Sequence, residues 1–157
     1  MVNMVLFRQA TKNDLKILAS LRVKFLQEVE EPSLDESSDT LEASILQHFT
    51  EKMLKSEFIS WVAIEDDEII ATSGVSYLEV PPSFSNISGK EAYVMNMYTK
   101  PQFRKKGIGN QLLDIIIDEI MKKGIKKIRL HTTEVGKPIY LKKGFRNSNI
   151  EMELYLA

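Results

Sequence analysis

Hydrophobic positions along the first third of the chain recur at helical spacing. A short apolar opening, Met4-Val5-Leu6-Phe7-Arg8, reads as a strand. After it Leu15, Leu18, Leu21, Phe25 and Val29 fall at helical intervals and predict a helix. Thr11 is its candidate N-cap, with Asp14 as an acidic variant of the capping box. The helix stops before Glu31-Pro32, because a residue preceding proline is driven out of the helical region. Pro32 to Asp39 is a polar, acidic loop. Asp39 or Thr40 can then cap a second helix carrying Leu41, Ile45, Phe49 and Met53 on one face.

From Phe58 the period changes to two. Phe58 to Ile64 and Ile69 to Tyr77 read as strands of a hairpin turning at Glu65-Asp66-Asp67-Glu68. Val80 to Gly89 is a turn-rich loop, and Tyr93 to Thr99 is a strand running into Lys100-Pro101. Gly107 opens a helix in which Leu112, Leu113, Ile116, Ile117, Ile120 and Met121 repeat. It closes at Lys122-Lys123-Gly124 with the basic last turn and glycine of a helix stop. Lys127 to Thr132 is a strand, Pro138 to Lys143 a short helix closed by Gly144, and Ile150 to Leu156 a final alternating strand. The order βααβββαβαβ, without repeat or linker, predicts one mixed-sheet α/β domain over residues 1–157.

Composition narrows the chemistry. Apolar residues at 43% and charged residues at 27% fit a globular chain that can bury a core unaided. The chain has no Cys, which excludes disulfides, thiolate metal sites and a cysteine nucleophile. Its only histidines, His48 and His131, exclude a His-rich metal cluster. With no long apolar run and no basic leader before one, a cytoplasmic protein is the expectation.

A net charge of -1 conceals a division. Residues 1–99 hold 16 acidic and 8 basic side chains; residues 100–146 hold 13 basic and 4 acidic. One half is suited to an anion and the other to a cation. The basic residues do not interleave with aromatics along a stripe, so a phosphorylated small molecule fits better than nucleic acid.

The densest chemistry lies between Met97 and Asn110. Arg104-Lys105-Lys106-Gly107-Ile108-Gly109 stands between a strand and a helix, where unpaired N–H groups and the helix dipole attract phosphate. Glycines there let the backbone approach an anion. Leu112 stands where a dinucleotide fingerprint needs its third glycine, and no Lys-Ser/Thr pair makes a P-loop.

That segment resembles the Arg/Gln-x-x-Gly-x-Gly/Ala motif of the GNAT N-acetyltransferase superfamily. Tyr140-Leu141-Lys142-Lys143-Gly144-Phe145 resembles the family's Tyr-x-x-x-Gly-Phe. The resemblance covers essentially the whole chain, and implies the single-domain GNAT-like acyl-CoA N-acyltransferase fold, a mixed, mostly antiparallel sheet flanked by helices. Two positions depart from the common pattern. Thr133 and Gly136 stand where many members carry Asn and Ala, and the Gly-Lys-Pro-x-Tyr variant at Gly136 to Tyr140 resembles a subgroup of undefined substrate, which also shares Pro81-Pro82 and Asn96-Met97-Tyr98.

The resemblance implies acetyl transfer from acetyl-CoA, without a metal, to a primary amine of a small molecule or peptide. The pyrophosphate would lie on N–H groups of Lys105, Lys106, Gly107, Ile108, Gly109 and Asn110, beside Arg104. The pantetheine arm would pair with Met97 and Thr99 where their strand splays from the next. An N–H near Met97 or Tyr98 would hold the oxyanion, Tyr140 would protonate the leaving thiolate, and Tyr140 and Lys142 of the same motif would also bind the cofactor. Without Cys, direct attack in a ternary complex is the economical route. The general base stays unassigned: Glu91 lies near its strand's start, Asn96 could only hold a water, and His131 is a satisfied strand histidine or a relay. Glu28, Glu31 and Asn96 are the candidate acceptor-binding residues, and the acidic run from Glu28 to Glu42 suits a cationic acceptor. A non-catalytic acyl-CoA sensor is the alternative, against which Tyr140 counts. Neither membrane nor nucleic acid is an expected partner, and a homodimer stays open.

Overall fold

The computed structural model describes residues 3–30, 37–148 and 150–157. Its elements are β1 (Leu6–Gln9), α1 (Leu15–Val29), α2 (Ser38–Leu54), β2 (Phe58–Ile59), β3 (Trp61–Glu65), β4 (Glu68–Glu79), β5 (Lys90–Thr99), α3 (Ile108–Lys122), β6 (Ile128–Leu130) and α4 (Lys137–Lys142). The sheet runs β1-β3-β4-β5-β6, with β2 also paired to β4. Every pairing is antiparallel except β5 with β6.

Local chemistry places most boundaries. Thr11 caps a 3-10 turn over Lys12–Asp14 that leads into α1, and the capping box is complete: the Thr11 N–H donates to Asp14 Oδ2 at 2.7 Å. Arg8 of β1 donates to both Asp14 oxygens, at 2.8 and 3.0 Å, tying strand to helix. Ser37, not Asp39 or Thr40, caps α2, its hydroxyl accepting from the Thr40 N–H at 3.1 Å. The β3–β4 turn carries Asp66 and Asp67 at φ of 49° and 62°, the positive pair that a tight hairpin needs.

Alternation along the central strands builds two apolar layers. On one face Leu18 and Leu21 of α1 and Phe49 of α2 pack with Phe58, Val62 and Tyr98. The Phe49 and Phe58 rings stack 4.5 Å apart, 3° from parallel. On the other face Leu113, Ile116 and Ile120 of α3 cover Val75, Ala92 and Val94. Each such side chain contributes roughly 1.5–3 kcal/mol by leaving water, so α3 is held by its buried stripe more than by its own helix propensity.

The expected strand from Ile150 to Leu156 does not form. Ile150, Met152, Leu154 and Leu156 are 83–95% exposed and join no ladder. The alternation specified which face such a strand would present, while β6, only three residues long, offers it little edge. Phe58 to Ile64 is likewise two pieces, broken where buried Ser60 turns its hydroxyl to the Ser73 carbonyl at 2.6 Å.

Candidate active site

The β4–β5 ladder is out of step at one place. Thr72 pairs with Tyr98 and Gly74 with Met95, so Asn96 and Met97 together oppose Ser73. This is a β-bulge, and its first residue, Asn96, takes the left-handed conformation with φ 57°. Thr72 secures it by donating its hydroxyl to the Asn96 carbonyl at 2.9 Å. Gly74 makes room: a Cβ there would stand 3.1 Å from the Met95 carbonyl oxygen and the Phe58 ring, and 3.3 Å from Asn96 Cβ. Asn96 is 1% exposed, yet among the described residues neither its carboxamide nitrogen nor its oxygen has a hydrogen-bond partner. Buried amides are ordinarily hydrogen-bonded, which sets Asn96 apart from the rest of the strand.

On the other edge of β5, β6 pairs only as far as Val94 with Leu130. The strand then continues unaccompanied from Met95 to Thr99, leaving a gap between β5 and the chain beyond β6. Met97 packs toward α3 in the same cluster as Leu130 and Tyr140, whereas Tyr98 packs toward α1. The gap therefore opens to both faces of the sheet.

At the end of β5 the chain turns through a 3-10 turn, Pro101–Phe103, into the basic loop. Lys105 and Gly107 are both left-handed, with φ of 63° and 80°. Gly107 is the N-cap of α3 and supplies no side-chain cap. The first α3 amide to reach an acceptor is that of Gln111, bonded to the Gly107 carbonyl at 3.1 Å. Among the described residues, Ile108, Gly109 and Asn110 thus keep N–H groups without an acceptor at the positive end of the helix, which suits a phosphate. Gly109 faces open space, since a Cβ there would meet only Thr99 Oγ1, at 3.8 Å.

Tyr140 stands on the α3 side, half-buried, its ring edge-on to Phe145 at 5.7 Å. Burial pushes its hydroxyl above the ordinary phenol range, so it is protonated at neutral pH and able to donate. Gly136 begins α4 where a Cβ would be 3.0 Å from Thr132 Oγ1. Lys142, the last residue of α4, is exposed, and Lys143 pairs with Asp114 of α3.

Two expected ligands of different molecules prove to be partners. Arg104 Nη2 donates to both carboxylate oxygens of Glu28, at 2.9 and 2.8 Å, and its Nε to the Thr99 carbonyl at 2.8 Å. The Tyr98 hydroxyl reaches the same carboxylate at 3.3 Å, with the guanidinium 5.4 Å from its ring centre. The pair bridges the end of α1 and the basic loop. Sequence reading missed it, although opposite charge in the two halves was its signal.

Other candidates sort plainly. Glu91 is 3% exposed between Lys127 and Arg129, at 2.9 and 2.7 Å. Burial alone would raise its carboxyl, but the two cations outweigh it and hold the group below the usual range, a poor proton acceptor. Glu31, with Asp35 and Glu36 of the acidic run, lies outside the described residues. His131 sits just past β6 and is exposed, not a strand histidine; it bonds to Tyr93 and Glu151. A cavity of about 490 Å³ beside Arg8, Lys16, Lys24 and Lys100 lies away from the gap, and two of its cations are already paired, Arg8 with Asp14 and Lys100 with Glu68.

The family model for the acetyltransferase (GNAT) family matches residues 20–145, and the chain belongs to that family. It is similar to a predicted acetyltransferase from Clostridium acetobutylicum, solved with acetyl-CoA. Identity is 31%, with a TM-score of 0.88 over 97% of this chain and 96% of that one. A GCN5-related N-acetyltransferase from Ralstonia eutropha JMP134 superposes with a TM-score of 0.89 at 25% identity, over 98% and 99% of the two chains. An aminoglycoside N-acetyltransferase solved with CoA shares the fold at 17% identity, with a TM-score of 0.72 over 100% and 97%. Among curated proteins none matches the chain.

Proposed function

We propose that the protein transfers the acetyl group of acetyl-CoA to a primary amine, by direct attack within a ternary complex. The observation that carries this reading is the open edge of β5, set between an uncapped α3 N-terminus and the protonated Tyr140. Acetyl-CoA supplies an activated acyl carbon; the chain supplies the rest. Free N–H groups of Ile108, Gly109 and Asn110, with Lys105 and Lys106 beside them, bind the pyrophosphate. Met97 and Thr99 offer backbone groups to the pantetheine amides as a neighbouring strand would. An N–H at Met97 or Tyr98 stabilises the oxyanion that develops on attack. Tyr140 gives its proton to the departing sulfur.

The acceptor enters from the α1 face, where Asn96 holds a buried, unpartnered carboxamide. Acidic side chains at the end of α1 favour a cationic acceptor, although Glu28 is already matched by Arg104 and contributes less net charge than its sequence position suggested. The test is release of CoA from acetyl-CoA with polyamines, aminoglycosides, amino acids and peptides. Tyr140→Phe should lower kcat about 10²–10⁴-fold with acetyl-CoA affinity nearly unchanged. Undiminished kcat, with chemistry rate-limiting, would return Tyr140 to a packing role.

A further inference from the structure

Direct attack needs a neutral amine, and at neutral pH a primary amine arrives as an ammonium ion. Glu91, held between Lys127 and Arg129, is a poor acceptor for the surplus proton. A different set of groups lies on the acceptor face. The Tyr93 hydroxyl of β5 is 2.5 Å from His131 Nδ1, and His131 Nε2 is 2.6 Å from Glu151 Oε2. An ionised carboxylate only accepts, so the hydrogen between His131 and Glu151 belongs to Nε2. A neutral imidazole then presents Nδ1 as an acceptor to the phenol. A carboxylate behind an imidazole fixes its tautomer and steadies the imidazolium, as in other relays.

The placement is consistent along β5. The charge of Arg22 on α1 acts on Tyr93, Tyr98 faces Phe25, and Tyr98 and Arg104 together meet Glu28. Asn96, with its orphaned carboxamide, stands between Tyr93 and Tyr98 on the strand. Tyr93 is half-buried, whereas the His131 side chain is 60% exposed, so the three groups lead from the acceptor face out to water.

We propose that Tyr93, His131 and Glu151 form the proton exit for the acceptor amine, an inference that rests on the amine-acetylation reading. The ammonium gives an N–H proton to Tyr93 Oη as Tyr93 gives its hydroxyl proton to His131 Nδ1. The imidazolium stays bonded to Glu151 and returns one proton to bulk water from the exposed ring. The freed lone pair then forms the C–N bond as the carbonyl π pair moves onto oxygen, and the resulting oxyanion collapses with cleavage of the C–S bond. The second proton leaves nitrogen for water by the same route, Tyr140 gives its proton to the CoA sulfur and is reprotonated from water, and one proton is released overall.

Tyr93 passes a proton rather than storing a charge. Burial is the largest influence on its hydroxyl and raises it above the usual phenol range, with Glu151 adding to the rise. Arg22 from α1 and Arg129 from β6 pull the other way, and Glu30 beyond α1 faces Arg22 in turn.

The test uses the full chain, acetyl-CoA and the fastest amine of a panel comprising spermidine, an aminoglycoside and a peptide N-terminus. Tyr93→Phe and His131→Gln should each lower kcat/KM for the amine about 10²–10⁴-fold near neutral pH. The double variant should be no slower than the slower single one, because the groups act as a unit. The deficit should shrink as pH approaches the amine's own pKa, where the acceptor deprotonates unaided; a merely structural role would not give that recovery. Thermal shifts with acetyl-CoA should match the wild type and establish that each variant is folded. Wild-type rates, or a deficit that persists at alkaline pH, would overturn the relay. A wild-type protein that shifts with acetyl-CoA yet acetylates no amine would remove the reading beneath it, and the relay with it.

Discussion

Gly109→Leu separates ligand binding from folding. The residue lies in the first turn of α3, where an added Cβ meets nothing nearer than Thr99 Oγ1 at 3.8 Å. The folded chain therefore accepts the side chain, and replacing a helical glycine stabilises by up to about 0.5–1 kcal/mol. The same side chain projects into the space before the Ile108–Asn110 amides, where the pyrophosphate is proposed to lie. Losing one or two charge-assisted hydrogen bonds there costs about 1.5–3 kcal/mol each. At 1.4 kcal/mol per tenfold, loss of a single bond weakens acetyl-CoA binding at least about tenfold, and loss of both exceeds a hundredfold.

Thermal unfolding with and without acetyl-CoA reads both effects. At a ligand concentration about 100 times the wild-type Kd, binding adds about 2.7 kcal/mol to stability. For a chain of this length that is a Tm increase of roughly 5–11 °C. A variant bound a hundredfold more weakly, at the same concentration, gains about 0.4 kcal/mol and so about 1 °C. The expected pattern is an apo Tm at or above the wild type with the ligand shift almost gone. A variant that keeps the full shift would place the pyrophosphate elsewhere, and one that loses apo stability would refute the open-space argument.

The Glu28–Arg104 pair and the Arg8–Asp14 cap make further predictions. Glu28→Gln frees the Arg104 guanidinium; one unit of charge acting over some 8 Å of water is worth about 0.5 kcal/mol, so acetyl-CoA should bind about two- to threefold tighter at low salt and indistinguishably at high salt. Weaker binding by calorimetric titration would show instead that Glu28 braces Arg104. Asp14→Asn should cost about 0.5–2 kcal/mol in denaturant unfolding, the range of a lost cap. The Arg8 hydrogen bonds, foremost, hold the Asp14 carboxyl below its ordinary range against the opposing effect of burial. The unfolded chain therefore binds this proton more readily, so the contribution is complete above the ordinary carboxylate pKa of about 3.9 and is lost as pH falls through the lower folded value. An Asp14→Asn penalty that does not shrink below about pH 4 would contradict that linkage.

The elements legible in the sequence were those that local chemistry specifies. The Leu112, Leu113, Ile116 and Ile120 stripe, the Lys122 to Gly124 stop and the Thr11–Asp14 box each act within a few residues, and each appears as read. The bulge did not announce itself, because it is a relation between strands: Asn96 turns left-handed where Thr72 and Gly74 skip a register. Glu28 and Arg104 are 76 positions apart, so charge composition indicated complementary halves without indicating which side chains meet. Tyr93 and Glu151 carried no motif at all; they become visible only when β5, β6 and the C-terminal segment lie side by side.

The sheet divides the proposed chemistry between its two faces. Tyr140, Met97 and α3 occupy one face, where sulfur must be protonated and phosphate held. Tyr98, Phe25 and Glu28 occupy the other, where an amine must shed a proton. The proposed acid, Tyr140, and the proposed proton exit at Tyr93 thus lie on different faces, joined through the reacting atoms. That separation follows from one structural decision: β6 stops at Leu130 while β5 runs on to Thr99. Were β6 to continue alongside, the edge proposed to receive the pantetheine would close, and the α1 and α3 faces would no longer meet at a common point.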